Sequence, residues 1–156
     1  MGGKVPYGFK LQETTIDGIK TKMYATVPEE ARIVQDIYQI YSQPQASFGD
    51  VLDYLNENDI KTRQGVDFNR SRIRDIVINP VYVRADSRIY EFYKSQGTVV
   101  ENPMEDFVGT NGAYLYSGSE KKSKTVCLEG HSLVLAPHEG IIDPVTWIKC
   151  RSKCLS

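Results

Sequence analysis

Long apolar runs are missing from this 156-residue chain. No stretch approaches the roughly 18 apolar residues of a membrane span, and no basic-then-apolar leader opens it. Both absences predict a soluble, cytoplasmic protein. Cysteine is scarce: Cys127, Cys150 and Cys154 are an odd set without framework spacing, which fits a reducing compartment. A surplus of positive charge is missing too, since 19 Lys and Arg face 20 Asp and Glu, for a net charge of −1. That counts against a uniformly basic nucleic-acid binder and makes the distribution of charge the informative quantity.

Catalytic signatures are also lacking. The sequence holds no glycine-rich phosphate loop, nucleophile elbow or paired carboxylates, and no serine sits next to an obvious base. His131 and His138 each follow a turn residue, Gly130 and Pro137. A zinc site could be assembled from Cys127, His131, Cys150 and Cys154, but no C-x2-C pair exists and the last two cysteines share a predicted helix. Buried structural cysteines and a hydrogen-bonded histidine are the simpler reading. No catalytic residue, metal ligand or cofactor site is therefore assigned.

What the chain does have is a sharp change of charge. From Pro28 to Asp59 one basic residue (Arg32) stands against seven acids, whereas Ile60 to Arg74 carries Lys61, Arg63, Arg70, Arg72 and Arg74 against Asp67 alone. The basic part ends in Asn69-Arg70-Ser71-Arg72-Ile73-Arg74-Asp75-Ile76-Val77-Ile78-Asn79-Pro80. Asn69 is a good N-cap, and Pro80 biases Asn79 out of the α region, so a helix should stop near Ile78. At about 100° per residue, Ile73, Ile76 and Val77 fall on one side and pack inward. Ser71, Arg74 and Asp75 then face outward, with Arg70 and Arg72 on the flanks. An apolar back and a basic front suit a helix that reads the major groove, where arginine forks onto guanine or clamps a phosphate. The alternative is a solvated surface helix that happens to carry arginines.

The remaining elements frame this helix. Met1 to Pro6 is an irregular lead-in whose abrupt start looks like a piece of something longer. Tyr7–Leu11 and Thr21–Ala25 read as a β-hairpin around Asp17-Gly18. Pro28 to about Ser42 and Ser47 to about Asn58 are amphipathic helices, the second with Phe48, Val51, Leu52 and Leu55 as core. Ile60–Phe68 is a basic connector, longer than the usual helix-turn-helix turn. After Pro80, Val81–Arg84 reads as extended and Asp86–Ser95 as a helix closed by Gly97. Residues 98–100, 113–116, 124–128 and 132–136 are strand candidates. Lys121, Lys122 and Lys124 mark an exposed hairpin tip, which is either a wing touching DNA backbone or simply solvated. Asp143 can cap a last helix containing Val145, Ile148 and Arg151. The predicted class is α+β: a three-helix, helix-turn-helix-like bundle packed with a small mixed β-sheet, plus an additional helix and a β-rich insertion.

Taken in order, Val5-Pro6-Tyr7-Gly8-Phe9, residues 28–34 (PEEARIV), residues 55–60 (LNENDI), residues 69–76 (NRSRIRDI), Asn79-Pro80-Val81-Tyr82 and residues 138–142 (HEGII) form a familiar series. The series resembles the recombinase domain of large serine recombinases, the integrases of phages and mobile elements. The resemblance covers Gly2 to about Trp147 and makes residues 1–156 one domain: 1–27 lead-in and hairpin, 28–80 helical DNA-binding part, 81–142 β-rich part with an inserted helix, 143–156 C-terminal helix. It implies a bacterial, nucleoid-associated DNA-binding module that recognises part of an attachment half-site and associates with other recombinase subunits. The catalytic serine would belong to a preceding domain, and zinc only to a following one, so the chain itself would be no enzyme. Lys4, Lys61, Thr62 and Arg63 would then meet DNA backbone, and Asn69, Arg70, Ser71, Arg72 and Arg74 would belong to the recognition helix, with Ser71, Arg72 and Arg74 reaching bases. Arg84-Ala85-Asp86 departs from the family pattern, which weakens the carry-over beyond Tyr82. Two further readings are a protein-interaction scaffold using the acidic 28–59 face and a stand-alone helix-turn-helix regulator.

Overall fold

The computed structural model describes residues 5–116 and 128–155. Asp17 (φ 52°) and Gly18 (φ 79°) both take left-handed backbone, the geometry a two-residue hairpin turn requires. They join β1 (Phe9–Ile16) to β2 (Ile19–Thr26), paired from Phe9↔Thr26 to Ile16↔Ile19. The ribbon is longer than its sequence pattern predicts, because its outer half is exposed on both faces and shows no apolar alternation. Only its base is buried, through Phe9 and Tyr24.

The helices fall where capping chemistry places them. In α1 (Pro28–Tyr41) proline opens the first turn and Glu29 and Glu30 sit at the positive end of the dipole. In α2 (Phe48–Glu57) the Asp50 carboxylate accepts from the Ser47 N–H at 2.8 Å. Asn69 opens α3 (Arg70–Ile78), Asp86 opens α4 (Ser87–Ser95), and Asp143 accepts from Thr146 N–H at 3.1 Å at the start of α5 (Pro144–Leu155). None of these helices is long and apolar enough to cross a membrane.

Helices α1, α2 and α3 pack together, and α5 packs on α1, α3 and α4. The last helix is thus part of the helical layer. Its Trp147 indole donates to Asn79 O at 3.1 Å, and its Cys150 thiol donates to Tyr38 O at 3.4 Å. The Lys153 ammonium lies over the Tyr41 ring and donates to the carbonyls of Tyr41, Gln43 and Ala46 at 2.7, 3.0 and 2.7 Å. The Tyr41 carbonyl ends α1, where a cation also complements the helix dipole, and the other two lie in the loop that leads to α2. Arg151, foreseen near the apolar stripe of this helix, is fully buried beside Tyr93.

The other layer is a mixed sheet in the order β3 (Val99–Val100), β5 (Ser132–Glu139), β4 (Asn111–Tyr116), with β3 parallel and β4 antiparallel to β5. The molecule is α+β, as its sequence indicates. The strand foreseen over 124–128 and the basic tip lie outside the described residues, apart from Leu128. One expectation is corrected: Pro80–Tyr82 is a 3-10 turn rather than extended, because the Asn79 side chain accepts from Val81 N–H at 3.0 Å and curls the chain. Extended pairing begins at Val83, which bridges to Ile142. Glycine is required at position 140, where a Cβ would run into the Val83 carbonyl.

Hairpin, turn and sheet meet at His138, which is 1% exposed. Its ring lies 5.0 Å from that of Phe9, 5.3 Å from Tyr24 and 5.8 Å from Tyr114, and Nε2–H donates to Val81 O at 2.8 Å. Burial pushes its pKa below the ordinary 6.5, against the opposing pull of the Val81 bond. The unfolded chain therefore binds the proton more readily. His138 should leave stability undiminished above its unfolded pKa of 6.5 and reduce it as pH falls from there through the lower folded value. Urea midpoints between pH 7.5 and 5 measure this decline, and a His138→Gln chain that declines equally would remove His138 as its source.

Candidate nucleic-acid interface

The basic segment before α3 is a tight turn and not an open connector. Thr62 N–H donates to Val66 O and Gly65 N–H to Thr62 O, both at 2.9 Å, and Gly65 has φ +78°. Lys61 and Asp67 pair across the neck of this turn. Phe68, 7% exposed, then anchors it, its ring edge-on to Tyr7 at 5.4 Å.

From that anchor α3 follows directly. Asn69 Oδ1 accepts from Arg72 N–H at 2.9 Å, which satisfies one of the helix's free donors. Ile73, Ile76 and Val77 are buried, as their 100° spacing requires. The far end is held from two sides: Tyr38 OH donates to Ile76 O at 2.5 Å, and Trp147 reaches Asn79. With its back pinned, the helix presents Arg70, Ser71, Arg72, Arg74 and Asp75 to solvent. Among the described residues, no ion pair or side-chain hydrogen bond engages Arg70, Arg72 or Arg74. Arg70 leans toward Gly49 at the start of α2, and Arg74 lies within electrostatic reach of Cys154 on α5. Arg72 points the other way, into an open groove of about 670 Å³. Arg72, Asp75 and Asn79 form one wall of that groove, and Tyr7, Arg63 and Gln64 form the other.

The remaining residues singled out in the sequence divide differently. The Lys61 ammonium pairs with Asp67 and lies 3.7 Å from Asp59, so its charge is balanced locally. Thr62 is 7% exposed and its hydroxyl accepts from Val66 N–H at 3.4 Å. Arg63 is bound to Glu30 and to three backbone carbonyls, so it is not held ready for a phosphate. The Asn69 side chain is committed to the cap. Lys4, Lys121, Lys122 and Lys124 lie outside the described residues. No group of His, Cys, Asp and Glu among the described residues is arranged to hold a metal ion.

A family model described as Recombinase matches residues 28–155. The chain belongs to the Recombinase family. The match takes in α1 to α5, leaves the β1–β2 ribbon outside, and is consistent with the central domain of serine recombinases. No curated protein matches the sequence. In this recombinase domain, sequence reasoning missed Tyr7, Gln64 and Asn79 as walls of the groove beside α3. It also missed the partner of Arg63, since Glu30 lies 33 residues away and no local pattern links them.

Proposed function

We propose that this domain is the DNA-binding part of a site-specific serine recombinase, and that α3 enters the major groove within one part of an attachment half-site. In this reading α2, the 61–67 turn and α3 act as a helix-turn-helix with an enlarged turn. The observation that supports it best is the contrast in charge use. Among the described residues, Arg70, Arg72 and Arg74 have no ion-pair or side-chain hydrogen-bond partner, on a helix whose opposite side is locked, while nearby Lys61 and Arg63 are already paired. Unpaired guanidinium groups on a rigid element can fork onto guanine or phosphate without first breaking an internal bond. The domain reads DNA in the cytoplasm and performs no chemistry itself. Strand cleavage belongs to a serine-bearing domain of the parent recombinase, zinc to another, and other recombinase subunits are its protein partners.

Selection from randomised duplexes followed by anisotropy titration tests this. We expect enrichment of one sequence and affinity that falls steeply with salt. Undetectable binding at low salt would overturn the reading and favour a scaffold using the acidic 28–59 face. Within the same titration, alanine at Arg70, Arg72 or Arg74 should flatten the salt slope by about one unit for each phosphate contact removed. Lys61→Ala should leave the slope unchanged, because Asp59 and Asp67 already neutralise that ammonium. A slope flattened by Lys61→Ala would return Lys61 to the footprint.

A further inference from the structure

Five successive carbonyls at the entrance of the domain, Val5 to Phe9, are all bound. Arg63 Nη1 donates to Val5 O at 3.0 Å, and its Nη2 donates to Pro6 O at 3.1 Å and to Phe9 O. The Tyr82 hydroxyl donates to Tyr7 O at 2.6 Å, and Val27 N–H to Gly8 O at 2.8 Å. Glu30 closes the arrangement: its carboxylate accepts from Arg63 Nε at 3.1 Å, from Nη2 at 2.5 Å and from Gly8 N–H at 2.9 Å. Burial raises the Glu30 carboxyl, but the Arg63 and Gly8 hydrogen bonds bring it below its ordinary value and keep it charged. Gly8 has φ +103°, and a Cβ there would stand 3.3 Å from Val34 Cγ2, so the path suits glycine alone.

Segments that merely lead into a strand are ordinarily solvated and loose. Val5–Gly8 belongs to no helix or strand, yet one guanidinium binds two of its four carbonyls and the Phe9 carbonyl that follows. An exposed ion pair by itself contributes little. Arg63–Glu30 differs because the same side chain also spans backbone from Val5 to Phe9, and it stands just before the Asn69 cap. Across the groove from Tyr7 lie Arg72 and Asp75 of α3.

We propose that Arg63 is a positioning residue: it fixes the path of Val5–Phe9 along the rim of the α3 groove, and so holds DNA contacts made upstream of Val5 in register with those of α3. The second half rests on the DNA-binding reading and the first does not.

The 156-residue chain without DNA tests the first half by hydrogen exchange. Arg63→Ala should speed exchange of the Gly8 and Phe9 amides by about tenfold or more, leaving Ile76 and Val77 unchanged. Arg63→Lys should fall between, since an ammonium cannot span the same fork. Equal acceleration in α3, or none at Gly8 and Phe9, overturns the assignment. With duplex DNA, Lys4→Ala should weaken binding several-fold in the parent chain and much less in the Arg63→Ala background. Arg74→Ala should weaken both equally. A Lys4→Ala loss that is absent from the parent chain, or the same in both backgrounds, overturns the register half. If no variant binds DNA, the register half falls with the DNA reading, while the exchange result still decides the path of Val5–Phe9.

Discussion

Arg74→Ala is expected to weaken binding to the selected duplex by about 1–3 kcal/mol and to relax preference at a single base pair. Three observations lead there. Arg74 is exposed, no acid within the described residues claims it, and its helix cannot yield because Tyr38 and Trp147 tie down the other end. A bidentate arginine–guanine contact is lost outright on truncation. Folding stability should barely move, within about 0.5 kcal/mol, as for surface changes away from caps and pairs. Affinity measured on single-base variants of the site is the check. A loss of the same size on every sequence would make Arg74 a phosphate contact, and no loss would take it out of the interface.

The largest effect on stability is expected from Trp147→Ala, about 3–5 kcal/mol. That is a large share of the roughly 5–15 kcal/mol by which domains are stable. Trp147 is 0% exposed, its ring lies 5.8 Å from those of Phe92 and Tyr93, and its indole N–H holds Asn79 O. Truncation opens a cavity where α4 and α5 meet and releases the carbonyl at the end of α3. Trp147→Phe should lose less, keeping most of the apolar contact while forfeiting the hydrogen bond. Denaturant midpoints decide the matter, and a Trp147→Ala loss under about 1 kcal/mol would mean that the site collapses around the gap. Because the bond ends at Asn79, the alanine variant should also speed exchange in the last turn of α3 before the chain unfolds.

Much of this architecture is legible in local sequence. Asn69 and Pro80 bracket α3, Ser47 and Asp50 open α2, and Asp17-Gly18 turns the ribbon, because caps and turns act over two or three residues. The inward face of α3 also follows from spacing alone. The Pro80–Tyr82 turn was harder to read, since β-prone Val81 and Tyr82 favour an extended form and only the Asn79 side chain overrides it. Arg63 shows what residue type alone leaves out. A basic residue beside a basic helix reads as a phosphate contact, yet its guanidinium is committed to Glu30 and to the backbone of Val5, Pro6 and Phe9. Arg151 is similar: its side chain sits fully buried among residues far away in the chain.

By itself the sequence determined the helices, the hairpin turn, the charge reversal at Ile60 and the family. Each of these depends on chemistry between near neighbours or on the order of motifs. Only the tertiary structure decided which of the described cations are paired. Whether an arginine meets solvent or an internal carboxylate depends on partners brought together by folding, and for Arg63 and Glu30 those partners are far apart along the chain. The groove beside α3 has the same origin, because one wall belongs to α3 and the other to Arg63 and the Val5–Tyr7 segment it binds, about sixty residues earlier in the chain.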